Sequence, residues 1–405
     1  MDEKARVESV RISYAKDQIE VLWKDGHGSR FHNKWLRFNC HCNNCYRFIV
    51  GQQRINCSLF PDDFPIIDAK VNKDEDQLYV EFNGEVCANH NTVLPLAFLR
   101  RNCYCDRCLH KLIDDRKMHF IKPGEFKLQP LDYSTVKGTD GGLFKVLKAV
   151  MEVGICYLRG VPTDEEFLEE FAVTIGPLVD STYGRKFMIH DKGVKDSVTN
   201  TREYLTFHTD QAHYESELGV QFFQCLQFDE CIEGGESIVA DMFQAAEILR
   251  QESPDDFRVL TRVPCTFATI DYKRQNPAYY ETRKPVIEVD YDDQIVAVHF
   301  NTGLDATLRV RENCVMPFYN AHKKLWKIIT RPELRFTHRM VPGDMLVFNN
   351  RRVAHGREAF VPHGGTRLLQ SAYVNVEDFR SKYMVLGRKL GHDVTPTKIG
   401  NRSSI

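Results

Sequence analysis

Within its first 110 residues the chain repeats itself, and the repeat carries six cysteines. The first copy reads Leu22-Trp23-Lys24-Asp25-Gly26-His27, then Trp35-Leu36-Arg37-Phe38-Asn39-Cys40-His41-Cys42-Asn43-Asn44-Cys45. The second reads Val80-Glu81-Phe82-Asn83-Gly84, then His90, then Phe98-Leu99-Arg100-Arg101-Asn102-Cys103-Tyr104-Cys105-Asp106-Arg107-Cys108. Each copy has a short apolar strand, a Gly-containing turn, and a His eight residues before an aromatic. The pattern [WF]-L-R-x-N-C-x-C-x-x-C follows in both. Alternating stretches such as Gln18-Ile19-Glu20-Val21-Leu22-Trp23 predict hairpins, so the segment reads as a duplicated β-rich unit.

The spacing of each cysteine trio lets it wrap one ion. Three thiolates and one imidazole make a closed tetrahedral zinc site with no open position for a substrate, which is a structural zinc. The chain has 13 cysteines, eight of them before residue 109, including Cys57 and Cys87. An odd total and CxCxxC clustering favour metal over a disulfide framework. The competing reading, a group of buried thiols, fits poorly with polar neighbours such as Asn43, Asn44 and Asp106. Each copy offers one matching histidine, His27 or His90. If the copies pack about a pseudo-twofold axis, each trio takes its histidine from the other copy. For the second trio, His27 and His110 both stay open. The five later cysteines (Cys156, Cys225, Cys231, Cys265 and Cys314) are scattered, and most read as small core residues.

A chain of 405 residues has room for two domains. Residues 1–112 form the expected zinc-binding domain and 131–405 the second domain. Between them, 113–130 is expected as a linker, its charged and Pro/Gly-punctuated character beginning near residue 109. Net charge is -2, which provides no electrostatic footprint for nucleic acid, although 100–118 contains several Lys and Arg. No apolar run approaches the length that spans a bilayer. The start, Met1-Asp2-Glu3-Lys4, resembles neither a secretory signal nor an organelle presequence, so the expected compartment is the cytoplasm.

Past residue 131, helices are expected at Gly142–Val153, Asp164–Ile175 (capped near Thr163), Asp241–Gln251 and Pro317–Thr330. Short β-like runs lie between them: Gly219–Phe228, Glu236–Ala240, Lys284–Val289, Gln294–Phe300, Arg335–Val341, Met345–Asn349 and Arg367–Val374. Many short strands with a few helices on one side predict a mainly β jelly roll, or double-stranded β-helix. In such a barrel an early and a late strand both point into the mouth.

His208-Thr209-Asp210 supplies two candidate metal ligands, because residues two apart on a strand point the same way. His355 would complete two imidazoles and one carboxylate on one face of an ion, the ligand set of non-haem Fe(II) oxygenases. Arg367, twelve residues later, could grip the far carboxylate of a 2-oxo acid with a bidentate fork. Gly234-Gly235-Glu236-Ser237 is a tight turn into a strand, and the Ser237 hydroxyl could assist Arg367. Pro342-Gly343-Asp344 turns the chain toward His355. Each fragment alone is common, and 15 histidines produce chance spacings. Their order carries the argument: HTD, GGES, PGD, HGR, then Arg.

That order resembles the γ-butyrobetaine and trimethyllysine dioxygenases of carnitine biosynthesis. Trp35-Leu36-Arg37 with Cys40, Cys42, Cys45 and His90 resembles their amino-terminal zinc domain. Tyr183-Gly184, Leu205-Thr206-Phe207-His208-Thr209-Asp210, Gly219-Val220-Gln221 and His355-Gly356-Arg357 resemble their catalytic domain. The resemblance implies Fe(II) on His208, Asp210 and His355, with 2-oxoglutarate chelating the iron and meeting Arg367. It also implies ascorbate as reductant, molecular oxygen as co-substrate and a homodimer. A trimethylammonium substrate would sit against Tyr183, Phe187 and Tyr373, with Asn301 on its carboxylate. Here the sequence departs from the pattern, since Phe187 replaces a usual Trp and Asn200 a usual Tyr of the cage. Plain core packing is the competing explanation of the three rings.

Pro285-Val286-Ile287-Glu288-Val289-Asp290 and Phe300-Asn301 look more like the γ-butyrobetaine enzymes, whereas Tyr183-Gly184-Arg185, Ala245-Ala246-Glu247 and His355-Gly356-Arg357-Glu358 lean toward the trimethyllysine enzymes. The expectation is hydroxylation of γ-butyrobetaine to L-carnitine, with trimethyllysine 3-hydroxylation as the alternative. A catalytically silent zinc-binding interaction protein is the competing class, and nucleic-acid binding through the CxCxxC units a weaker one.

Overall fold

The structure is a computed structural model; it describes residues 6–72, 74, 76–83, 90–115, 124, 128–190, 201–272, 277–392 and 394. The chain divides into two compact units, Met1–Arg116 and Lys117–Ser404. No helix among the described residues is long and apolar enough to cross a membrane.

The first unit is built twice over. Strands Val7–Ile12, Gln18–Trp23 and Gly28–His32 form one antiparallel sheet and lead into helix Asn33–Phe38. Strands Ile66–Asn72, Gln77–Phe82 and Asn91–Pro95 form another and lead into helix Leu96–Arg101. Alternation places matching residues in one core: Ile19, Val21, Trp23 and Leu36 from the first copy, Leu78, Val80, Phe82 and Leu99 from the second. Because the side-chain period of a strand is two, a one-residue slip would turn either row outward.

The second unit is a double-stranded β-helix. Its larger sheet has six strands in the order Lys186–His190, Arg367–Val374, Val220–Phe228, Asp344–Asn349, Ile155–Arg159 and Pro130–Asp132. Its smaller sheet has four: Leu205–His208, Val353–Arg357, Ser237–Asp241 and Arg335–His338. Between the sheets lies an apolar layer that includes Cys225, Val239, Leu346, Phe348, Val353 and Leu369. Alternate residues of the same strands face outward under helices. Val220, Phe222, Val347, Ala372 and Val374 pack under helices Asp140–Val153, Phe167–Val173 and Val376–Lys389. Ile238, Ala240 and Ala354 pack under Met242–Glu252, Pro254–Arg262 and Glu312–Ile329.

Several expectations need correction. Helices cover the outer faces of both sheets rather than one side, because both sheets present apolar residues on both faces. The stretch read as a linker from residue 109 is helical through Asp106–Asp115; residues 116–123 and 125–127 lie outside the described residues. The helix expected over Asp164–Ile175 spans Phe167–Val173, and its first turn is capped by Asp164, which accepts from the Phe167 N–H at 2.8 Å. Pro317 does not start its helix but sits within Glu312–Ile329, where its missing N–H removes one helical bond. The run Lys284–Val289 is two strand segments: Ala278–Pro285 pairs with Pro264–Asp271, and Ile287–Val289 pairs with Ile295–Val298.

Candidate active site

Strand Leu205–His208 runs antiparallel to Val353–Arg357 with His208 opposite His355. Their ring centroids stand 4.3 Å apart. Gly356 is what lets the strands approach: a Cβ there would lie 2.5 Å from the Leu205 carbonyl oxygen. This explains the small residue in His355-Gly356-Arg357. The His208 Nδ1 lies 2.8 Å from the Thr206 carbonyl. A carbonyl only accepts, so Nδ1 carries a proton and Nε2 is the ring nitrogen that faces Asp210 and would ligate a metal.

Asp210 completes the trio, although not by strand alternation. The strand ends at His208, and a turn begins at Asp210. Asn350 clamps that turn from both sides, its Oδ1 accepting from the Asp210 N–H at 2.7 Å and its Nδ2 donating to the Asp210 carbonyl at 2.9 Å. The Thr209 N–H donates to the Phe300 carbonyl at 2.7 Å. The carboxylate thereby reaches 3.4 Å from His208 Nε2 and 3.5 Å from His355 Nε2. The Tyr373 hydroxyl donates to Asp210 Oδ2 at 2.6 Å. Burial alone would raise the Asp210 carboxyl, but the two imidazoles and their hydrogen bonds hold it well below the usual range. A candidate ligand atom from each residue lies within 4.8 Å of the others. Two imidazole nitrogens and one ionised carboxylate on one side of a point fit Fe(II), which would displace any Nε2 proton and leave positions open.

The trio lines a cavity of about 180 Å³ together with Arg367, Ser237 and Gln221. Three arginines gather nearby, and their hydrogen bonds differ. Arg339 donates to the carbonyls of Gly234, Asp229 and Ile232, and Arg357 to those of Thr201 and Glu203. The Arg367 side chain has no acceptor among the described residues, and its Nε is buried. It is 6 % exposed and stands over the Phe228 and Phe360 rings at 5.4 and 5.9 Å. Burial first, and then the Arg357 charge, push its pKa down to about 9. A desolvated guanidinium with unused donors beside a candidate metal site fits the carboxylate of a 2-oxo acid.

Tyr183, Phe187 and Tyr373 also line the cavity as a contiguous aromatic wall. Tyr183 and Phe187 centroids are 5.0 Å apart, and Phe187 and Tyr373 are 5.9 Å apart. Asn301 is not among the lining residues. Its Nδ2 donates to the Thr209 carbonyl at 3.1 Å and its Oδ1 accepts from the Gly303 N–H at 3.1 Å, so its amide bonds within the chain next to the candidate metal ligands. Asn200 lies outside the described residues. Sequence reasoning missed Asn350, whose role becomes visible only when residues 140 apart meet. It also missed the second function of Tyr373.

A model of the taurine catabolism dioxygenase TauD, TfdA family matches residues 121–373. The chain belongs to this family. A second model, γ-butyrobetaine hydroxylase-like, N-terminal, matches residues 10–87. The chain is 31% identical over 370 residues to a γ-butyrobetaine dioxygenase of Pseudomonas sp., covering 91% of this chain and 94% of that protein. It is 28% identical to a trimethyllysine dioxygenase of Meyerozyma guilliermondii, covering 93% and 95%. It is 27% identical to the human γ-butyrobetaine dioxygenase, covering 92% and 95%. Like its family, the protein is an Fe(II)- and 2-oxoglutarate-dependent dioxygenase, and the His208, Asp210 and His355 trio and Arg367, which has no acceptor among the described residues, suit those two groups.

Proposed function

We propose that the protein hydroxylates a trimethylammonium carboxylate, foremost γ-butyrobetaine to L-carnitine. The observation that carries this reading is the aromatic wall of Tyr183, Phe187 and Tyr373 in the same cavity as the metal trio. A quaternary ammonium has no hydrogen to donate, so it is held by ring faces, at roughly 0.5–2 kcal/mol each. The named relatives support the same substrate class. Trimethyllysine differs by an α-ammonium that wants an anionic partner. Asp210 is the one acid among the described lining residues, and it is proposed as an iron ligand, which favours γ-butyrobetaine.

In this reading His208, Asp210 and His355 hold the iron, and Arg367 with Ser237 orients the 2-oxoglutarate. Bound iron, 2-oxoglutarate and oxygen supply the oxidising chemistry, yielding succinate and CO2, with ascorbate as reductant. The polypeptide positions the reactants and keeps the cavity dry through apolar walls such as Ile189, Leu346 and Phe348. Residues 131–405 do this work, while 1–112 carry a structural zinc on Cys40, Cys42, Cys45 and His90. The reading includes a homodimer, testable by light scattering, and the cytoplasm, which the free described cysteines suit.

The test offers γ-butyrobetaine and trimethyllysine side by side to purified protein with Fe(II), 2-oxoglutarate and ascorbate, with products read by mass spectrometry. Hydroxylated γ-butyrobetaine with matching succinate, lost in His208→Ala, is expected. If neither compound is consumed although 2-oxoglutarate binds, the substrate assignment fails. Failure to bind either iron or 2-oxoglutarate would point to a silent zinc-binding protein.

A further inference from the structure

The second cysteine trio falls outside both family matches, one of which ends at residue 87 and the other of which begins at 121. We propose that His27, Cys103, Cys105 and Cys108 bind a second structural zinc ion, and that the two zinc ions tie the two copies of the repeat together reciprocally.

The geometry is that of a tetrahedral cage. His27 Nε2 lies 3.3, 3.8 and 3.5 Å from the Sγ atoms of Cys103, Cys105 and Cys108. An ion with Zn–S of about 2.3 Å and Zn–N of about 2.0 Å sets nitrogen and sulfur about 3.5 Å apart on a tetrahedron's edge. The first trio has the same dimensions: His90 Nε2 lies 3.4, 3.8 and 3.4 Å from Cys40, Cys42 and Cys45. All six of these cysteines are free. His110 is not part of either ligand group.

The surroundings are duplicated along with the ligands. Zinc with three thiolates carries one net negative charge. The Arg of each Leu-Arg pair lies against the last thiolate of its own trio: Arg37 Nη1 is 3.3 Å from Cys45 Sγ, and Arg100 Nη1 is 3.8 Å from Cys108 Sγ. The Ser29 hydroxyl donates to Cys103 Sγ at 3.0 Å while accepting from Trp23 Nε1 at 2.8 Å. At the first site the Val93 N–H donates to Cys40 Sγ at 3.4 Å. Asp25 joins the two halves of the second site, accepting from Arg100 Nη2 at 3.0 Å and from the His27 N–H at 2.9 Å. Donors aimed at sulfur orient the ligands and stabilise thiolates, as expected around bound metal.

The exchange of histidines follows from the chain path. His27 precedes strand Gly28–His32 of the first copy, yet its ring meets cysteines of the second; His90 precedes Asn91–Pro95 of the second and meets cysteines of the first. Equivalent rings Trp35 and Phe98 stack between the copies with centroids 5.8 Å apart. The ions therefore close loops between residues 76 and 50 apart in sequence. Links of that span constrain the unfolded chain and couple folding of the unit to metal.

The test counts zinc by inductively coupled plasma mass spectrometry in full-length His208→Ala protein, so that zinc at the iron trio does not contribute. Two ions per chain are expected, one after adding Cys105→Ser, one after adding Cys42→Ser instead, and two after adding His27→Cys, which substitutes a fourth thiolate. Cobalt(II) titration of the His208→Ala protein needs no cysteine variant; thiolate-to-cobalt absorption is expected to rise through a second equivalent. One zinc per chain, with that absorption saturating at one equivalent, would overturn the proposal.

Discussion

Tyr373→Phe separates the two tasks that meet at this residue. The side chain is fully buried, and its hydroxyl donates to Asp210 Oδ2 at 2.6 Å while its ring continues the aromatic wall beside Phe187. Burial, followed by the Asp210 charge, pushes the phenol well above its ordinary range, so it remains a donor at any working pH. Phenylalanine keeps the ring and deletes one hydrogen bond to an ionised group, worth roughly 1.5–3 kcal/mol. At about 1.4 kcal/mol per tenfold change, that corresponds to roughly 10- to 100-fold, the range found when a partner of a metal ligand is removed. The Fe(II) Kd should rise by that factor in an anaerobic chelator competition. With iron saturating, the KM for γ-butyrobetaine from initial succinate release should change by less than about twofold, because the ring face is retained. Unaltered iron affinity together with a raised KM would refute the reasoning and assign the hydroxyl to the substrate.

Two further outcomes follow from the same geometry. Arg367→Met removes the one buried guanidinium of the cavity whose side chain has no acceptor among the described residues, and should weaken 2-oxoglutarate by about 100-fold, near 3 kcal/mol for a lost bidentate pair, in calorimetric titrations; unchanged affinity would remove Arg367 from the site. His213 is 5 % exposed, neither ring nitrogen has a partner among the described residues, and burial, then the Lys284 charge, push its pKa down to about 4. Its unfolded counterpart titrates near pH 6.5, so protons favour the unfolded chain: stability is unaffected above about 6.5 and falls as pH drops toward 4, by about 2 kcal/mol at pH 5. Urea denaturation at pH 7 and pH 5 should show that loss largely removed in His213→Phe; an equal loss in both proteins would show that His213 is not the titrating group.

Much of the architecture was legible because it rests on local rules. The strand Arg367–Val374 stands where its composition places it, as do the helices near residues 142–153 and 241–251, within two residues at each end. Helix Val376–Lys389 was missed although Asn375 stands at its N-cap position and Glu377 and Asp378 lie in its first turn; it follows the strand without a loop, and no side chain makes a capping hydrogen bond there. Pro317 misled the reading because proline usually opens a helix rather than sitting inside one.

The linear chain by itself determined the duplication, the two cysteine trios and the identities of the candidate iron ligands, since these are residue types at short spacings. It left open which histidine joins which trio, and it credited strand alternation with bringing Asp210 beside His208. Only the tertiary structure decided these points. The histidines are exchanged between copies because the copies pack face to face, bringing His27 to Cys103 and His90 to Cys40. Asp210 is aimed by Asn350 and Tyr373, which lie 140 and 163 residues away in sequence. Arg367 is singled out because Arg339 and Arg357 are tied to backbone carbonyls. Short spacings constrain which atoms share one ion; what orients those atoms, and which charge stays unpaired, depends on contacts that exist only once the sheets have closed.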